Sequence, residues 1–177
     1  MTSRYVQYSW DLSKLAPPPE NGTHPGRIRE AEKSEAEIVW AVYERSLISD
    51  PAWSVGLQQR LKELRHLIDD GMETGQASFL VIHSGERFIG ASGLCADPGI
   101  ERQLLTGIHV VNEYRCRGQG SRLLAASLSW LKEHGVSKAL SITREGVAAD
   151  RFLYPKFGGV RTVLSSVPPL PKFVKKK

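Results

Sequence analysis

Arg115, Cys116, Arg117, Gly118, Gln119, Gly120 and Ser121 form the stretch of this chain best suited to chemistry. It joins an apolar, β-rich run to a leucine-rich run that reads as a helix, so its backbone N–H groups are the unpaired donors of a helix start. Such donors attract an anion, and the helix dipole stands behind them. Gly118 and Gly120 have no side chain to hold a ligand away, and they permit positive φ. Consecutive N–H groups can therefore converge on a diphosphate. Arg115, Arg117 and Arg122 add positive charge around it. The spacing separates the known kinds of phosphate loop. A nucleoside-triphosphate loop needs GxxxxGK[ST], and no lysine follows Gly120. A dinucleotide fingerprint needs glycine where Leu123 stands. What remains is [RQ]xxGx[GA] after a strand ending in L/I-x-V.

The elements that must position this loop follow from periodicity and punctuation. Residues 1–25 hold alternating Tyr5, Val6, Tyr8 and Trp10, then three prolines and Asn21-Gly22, which reads as a short strand and an irregular connector outside the core. Arg27–Glu30 reads as a first strand. Ser34 with Glu37 suggests a capping box for a helix carrying Ile38, Val39, Val42 and Leu47, ended by Asp50-Pro51. Ser54 is placed to cap a second helix with Leu57, Leu61, Leu64 and Ile68 on one stripe, closed by Gly71. Residues 78–82 and 87–94 form an antiparallel hairpin, and residues 103–111 are the strand that leads into the loop. A long helix bearing Leu124, Leu128 and Leu131 ends at Gly135. A strand over 139–143, a short helix over 146–154 stopped by Pro155, and a strand over 160–166 complete the order, with Phe173 and Val174 as a final short strand. The pattern implies one α/β (α+β) domain over 26–177, with a mixed, mostly antiparallel sheet of six to seven strands and helices on both faces. A ligand belongs at the carboxyl ends of the central parallel strands.

Composition narrows the function. The 177 residues carry 41% hydrophobic content, enough for one buried core. The net charge of +5 rests partly on Lys175, Lys176 and Lys177, while the other basic residues are interspersed with acids. That pattern argues against a nucleic-acid stripe and for an anionic small ligand. Two cysteines, Cys95 and Cys116, give no disulfide framework. No stretch is long and apolar enough to cross a bilayer, and no metal site is expected. A reduced cytoplasm is the expected setting.

The loop and its flanks resemble the GNAT superfamily of acetyl-CoA-dependent N-acetyltransferases, from about Arg27 onward. The family pattern L-x-V-x-P-x-[YF]-R-x-x-G-x-G, followed by a leucine-rich helix, is met by Ile108, Val110, Tyr114, Arg115, Gly118 and Gly120, with Asn112 in the proline position. A second element, N-x-x-A-x-x-[LF]-Y-x-K-x-G-F, corresponds to 147–159. Leu153, Tyr154, Lys156 and Gly158 match it, while Val147, Asp150 and Gly159 depart. Val147 offers no side-chain hydrogen bond where the family has asparagine.

The resemblance implies an acyl-CoA N-acyltransferase fold whose central parallel pair splays at a β-bulge, with the pantetheine arm of acetyl-CoA in the gap. Ile108, His109 and Val110 would hold the arm and the acetyl carbonyl. Arg115, Cys116, Arg117, Gly118, Gln119, Gly120 and Ser121 would cradle the pyrophosphate, Cys116 through its backbone. The implied reaction is direct attack of a primary amine, from a small molecule or a protein, in a ternary complex. Tyr154 would stand near the sulfur as general acid, its competing role being to cap a helix end before Pro155. His109, Glu113, Glu101 or ordered water would take the amine's proton. Trp40, Tyr43, Trp53 and His66 lie where the family builds its acceptor pocket. Tyr43 and Trp53 are assigned to that pocket and the others to packing. A regulatory module that binds acyl-CoA without catalysis is the alternative reading, and a homodimer is compatible with the sequence.

Overall fold

The computed structural model describes residues 4–16 and 26–174. The proline-rich connector and the lysine tail lie outside the described residues. Among the described residues seven strands form one sheet: β1 (Tyr5–Asp11), β2 (Arg27–Glu30), β3 (Ser78–Ser84), β4 (Arg87–Leu94), β5 (Leu104–Val110), β6 (Lys138–Arg144) and β7 (Val160–Leu164). Their spatial order is β2-β3-β4-β5-β6-β1-β7. Among the described residues β5 and β6 are the one parallel pair, so the sheet is mixed and mostly antiparallel, as expected.

Among the described residues three α-helices complete the layers: α1 (Ala36–Ile48), α2 (Leu57–Thr74) and α3 (Gln119–Glu133). On one face Tyr43 of α1 meets Phe79 and the His109 ring. On the other, Leu123 of α3 lies where a Cβ on Gly90 would point. Successive strand side chains alternate between these faces, which is why the strands read as nearly continuous apolar runs. No helix among the described residues is long and apolar enough to cross a membrane.

The helix ends differ from their sequence signals. The chain enters α1 through a short turn, Lys33–Glu35, in which the Glu35 carboxylate accepts from the Glu32 N–H at 2.8 Å and pairs with Arg29. Ser34 therefore does not cap α1, and Glu37 instead pairs with Arg65 across to α2. Gly56, not Ser54, precedes α2. Gly71 sits inside that helix, which runs on to Thr74, because the missing side chain makes room for Ala77 and the Phe173 ring. Phe173 packs there as a plug and not as a strand.

The largest correction concerns β1, expected outside the core. It lies between β6 and β7, antiparallel to both, with Tyr8 opposite Ser141 on one side and Arg161 on the other. Val6, Tyr8 and Trp10 alternate inward and are buried, while Gln7 and Ser9 are partly exposed. The period of two was the correct signal; what the sequence could not supply was the pairing partner, more than a hundred positions away.

Candidate active site

The cleft forms where β5 departs from β6. The ladder between them is confined to Leu104 opposite Ser141. Beyond it β5 bulges: Ser92 of β4 faces Ile108 and Leu94 faces Leu104, so extra residues of β5 stand against Gly93. The Thr106 hydroxyl takes the place of a ladder acceptor, receiving the Gly93 N–H at 2.8 Å. Gly107 adopts φ +73°, and a Cβ there would lie 2.8 Å from the Tyr154 hydroxyl oxygen. The resulting cleft, about 490 Å³, runs from Trp53 and Arg60 past residues 106–110 to Cys116, Gly118, Gly120 and Ser121.

At one end lies the glycine loop. Gly118 is left-handed at φ +74° and α3 begins at the next residue. Cys116 also has positive φ, at +58°. Two left-handed residues so close together turn neighbouring amides towards one side, the geometry of an anion-binding nest. A Cβ on Gly120 would stand in ordinary contact with Leu153 and Ile108, so its absence leaves open space beside the cleft. The arginines behave differently from expectation. Arg115 is spent on the protein itself, donating to the Val110 and Ser46 carbonyls at 3.1 and 2.9 Å and approaching Asp50 at 3.4 Å. Arg122 ties Gly26 to Gln119. Arg117 leans over the Tyr114 ring. Lys156, on the turn after Tyr154, reaches the Ser121 hydroxyl at 3.4 Å and is a cation of the cleft wall itself. The expected loop residues Arg117 and Gln119 do not line the cleft.

Tyr154 stands at the fork. Its ring is fully buried between Tyr8 and Trp10 of β1, at centroid distances of 5.1 and 5.2 Å. Its hydroxyl lies 3.3 Å from Ser141 Oγ. Burial raises its pKa above the ordinary phenol value, against the opposing hydrogen bonds of Ser141 and the Ile108 amide, so it carries its proton at neutral pH. The turn that holds it, a short π-helical segment from Ala149 to Leu153, is anchored by Asp150. That carboxylate accepts from the Tyr8 hydroxyl at 2.7 Å, the Gly146 N–H at 2.8 Å and Arg161 Nε at 2.8 Å. Burial works to raise Asp150, but these donors prevail and hold it at about 2. The alanine of the family pattern thus becomes, in this chain, the link between β1 and Tyr154.

His109 faces the cleft on the same side as Tyr43, because the bulge at Gly107 resets the strand's parity. Both ring nitrogens are engaged: Nε2 donates to the Thr106 carbonyl at 3.0 Å, leaving Nδ1 to accept from Ser46 at 2.9 Å. Burial, reinforced by the nearby Arg60 charge, pushes the imidazole down to about 3. A ring so held offers the cleft no free lone pair, which is unlike a general base. Glu113 pairs with Arg45 and Glu101 is exposed on a turn; neither lines the cleft. Tyr43, expected to meet substrate, is wholly buried with its hydroxyl 2.9 Å from Thr106 Oγ1, and serves as a core support beneath β5. Trp53 does line the cleft. Asp50 and Arg60, which the sequence reading did not single out as site residues, line it too.

Comparison with known proteins agrees with this geometry. The family model for the acetyltransferase (GNAT) family matches residues 32–158. No curated protein matches in sequence. Among solved structures, a GCN5-related N-acetyltransferase from Ralstonia eutropha superposes with a TM-score of 0.60 at 19% identity, covering 81% of this chain and 97% of that one. A Drosophila protein aligns with a TM-score of 0.59 at 15% identity over 92% of this chain. A functionally unknown conserved protein from Staphylococcus epidermidis gives 0.59 at 11% identity over 91%. The chain spans only 49% and 58% of the length of those last two. At such identities the likeness is one of fold. With the family model covering most of its length and the splayed parallel pair, glycine loop and tyrosine in place, the chain belongs to the acetyltransferase (GNAT) family.

Proposed function

We propose that the protein transfers the acetyl group of acetyl-coenzyme A to a primary amine, by direct attack within a ternary complex. The observation that carries this reading is continuity: one cleft links an anion-binding nest at the start of α3 to a protonated, buried tyrosine at the fork of β5 and β6. The residues fit the cofactor, since the bulge opens main-chain groups of β5 and Gly120 leaves room beside them. When bound, the thioester supplies an activated acyl group. The 116–121 amides and Lys156 would hold its phosphates, and 108–110 its arm and acetyl carbonyl.

Tyr154 keeps its proton at neutral pH and would be the group to give it to a departing thiolate. His109 is assigned a positioning role, bracing α1 against β5 through Ser46 and Thr106. Since Asp50 and His109, which line the cleft, are both engaged by protein groups, the amine would lose its proton through ordered water.

The test is calorimetric titration with coenzyme A, followed by thiol release from acetyl-CoA over an amine panel. Tyr154→Phe should lower turnover about a hundredfold, within the usual range for a lost general acid, while coenzyme A affinity stays within about twofold. Equal turnover by both proteins removes the acid role. Tight coenzyme A binding with no transfer to any amine supports a regulatory acyl-CoA-binding module instead.

A further inference from the structure

At the end of the cleft away from the glycine loop, a cationic side chain is left without a counter-charge. Arg60, on the first turn of α2, lines the cleft. Its Nε is buried with no hydrogen-bond partner, and among the described residues no carboxylate lies within ion-pair distance of it. It packs over the Trp53 ring, 5.5 Å from the centroid. The Arg144 guanidinium packs on the same ring at 4.7 Å and, among the described residues, is tied to neutral groups, the Ala52 and Val55 carbonyls and the Tyr5 hydroxyl. A third guanidinium, Arg102, is buried nearby and donates to the Pro168 carbonyl.

The acids in reach do not balance this charge. Among the described residues Asp50 is the one carboxylate of the cleft wall, and it is already held by Arg115 and the Ala52 N–H. Glu63 is exposed and accepts from Gln59. Burying the Arg60 Nε without a partner is costly, and contact with one aromatic ring offsets only part of that cost. A guanidinium that remains charged in the wall of a cleft suits a planar, two-oxygen anion.

We propose that Arg60 receives a carboxylate of the acceptor, so that the substrates are amines that also carry a carboxylate, such as amino acids or the acidic end of a peptide, and not polyamines. This rests on the acetyl-transfer reading, because it takes the Arg60 end of the cleft as the acceptor's place. The cleft divides the work by charge: the loop amides face the cofactor's phosphates, and Arg60 orients the second substrate so that its amine points inward. A polyamine would bring further positive charge against Arg60, Arg144 and Arg102, and repulsion there disfavours it.

The test uses product-like probes that need no turnover. Coenzyme A-saturated protein is titrated with the N-acetyl derivatives of glycine, glutamate and phenylalanine, each as the free acid and as the carboxamide. The acid of at least one pair should bind about tenfold or more tightly than its amide, the ratio expected of a charge-assisted hydrogen bond. Arg60→Gln should abolish that preference, Arg60→Lys should keep part of it, and coenzyme A titration of each variant reports an intact fold. Acids and amides that bind alike, no binding by either, or a preference that survives Arg60→Gln overturns the proposal. Carboxylate binding without thiol release from acetyl-CoA and the matching amines keeps this site and refutes the transfer reading. Transfer that favours neutral or cationic amines does the reverse.

Discussion

Replacing Asp150 with asparagine tests how β1 holds the turn that carries Tyr154. The side chain is only 6% exposed and accepts from Tyr8, Gly146 and Arg161. Its pKa falls from 3.8 to about 2 in the folded protein. At about 1.4 kcal/mol per pKa unit, the depression corresponds to about 2 kcal/mol of stability at neutral pH. Asparagine can still accept from Tyr8, but its amide turns a donor towards groups that themselves donate, so the change removes the charge together with an acceptor for Gly146 and Arg161, much as protonation of the carboxylate does. For a chain of this size about 2 kcal/mol lowers the melting temperature by about 4–8 °C. The sign with pH follows from the depressed value. The stabilisation is complete above the unfolded carboxylate's pKa of about 3.9 and is lost as pH falls through the folded value of about 2. Thermal melts of both proteins should therefore differ by a constant amount from pH 7 to about pH 5, then converge towards about pH 2. Glu35, also held at about 2 by Arg29, is common to both and cancels in the difference. A gap below about 1 °C at pH 7, or one that persists undiminished to about pH 2.5, refutes the view that this carboxylate's charge anchors the turn.

Two further substitutions read the glycines. Gly107→Ala should cost about 1–2 kcal/mol for the left-handed backbone and push the Tyr154 hydroxyl from the fork. A lower melting temperature with loss of thiol release is expected, and wild-type turnover would contradict it. Gly71→Ala should destabilise α2 by about 1–3 kcal/mol despite alanine's better helix propensity, because the new methyl would lie 2.7 Å from Ala77 Cβ. A higher melting temperature would show that the Ala77–Phe173 contact yields.

The glycine loop, the strand before it and the helix after it were legible because their signals are local. Apolar runs, spacing and the two glycines lie within one stretch of sequence, and the structure keeps them in that relation. Helix ends were less legible, since Ser34 and Ser54 have the right chemistry for caps yet Glu35 and Gly56 stand where the chain turns. The site's support was legible only in part. Tyr43 and His109 are of types that also do chemistry, and only burial and hydrogen bonding distinguish a core brace from a substrate contact. Arg60 was hidden because it sits on a helix rich in charge, where one more arginine reads as solvated surface. Its meaning depends on which carboxylates are absent around it, a property of three-dimensional arrangement that no local spacing encodes.

The position of β1 has a consequence for how the chain is made. Tyr8 and its anchor Asp150 are 142 positions apart, so β1 is made well before β6 and β7 and must wait for both before it can pair. Until then Val6, Tyr8 and Trp10 present an unmatched apolar edge, a state in which nascent chains invite chaperones or stick to one another. Insertion of that strand also closes the wall behind Tyr154, so the proposed competence for transfer should appear only once β1 has paired, not gradually along the way.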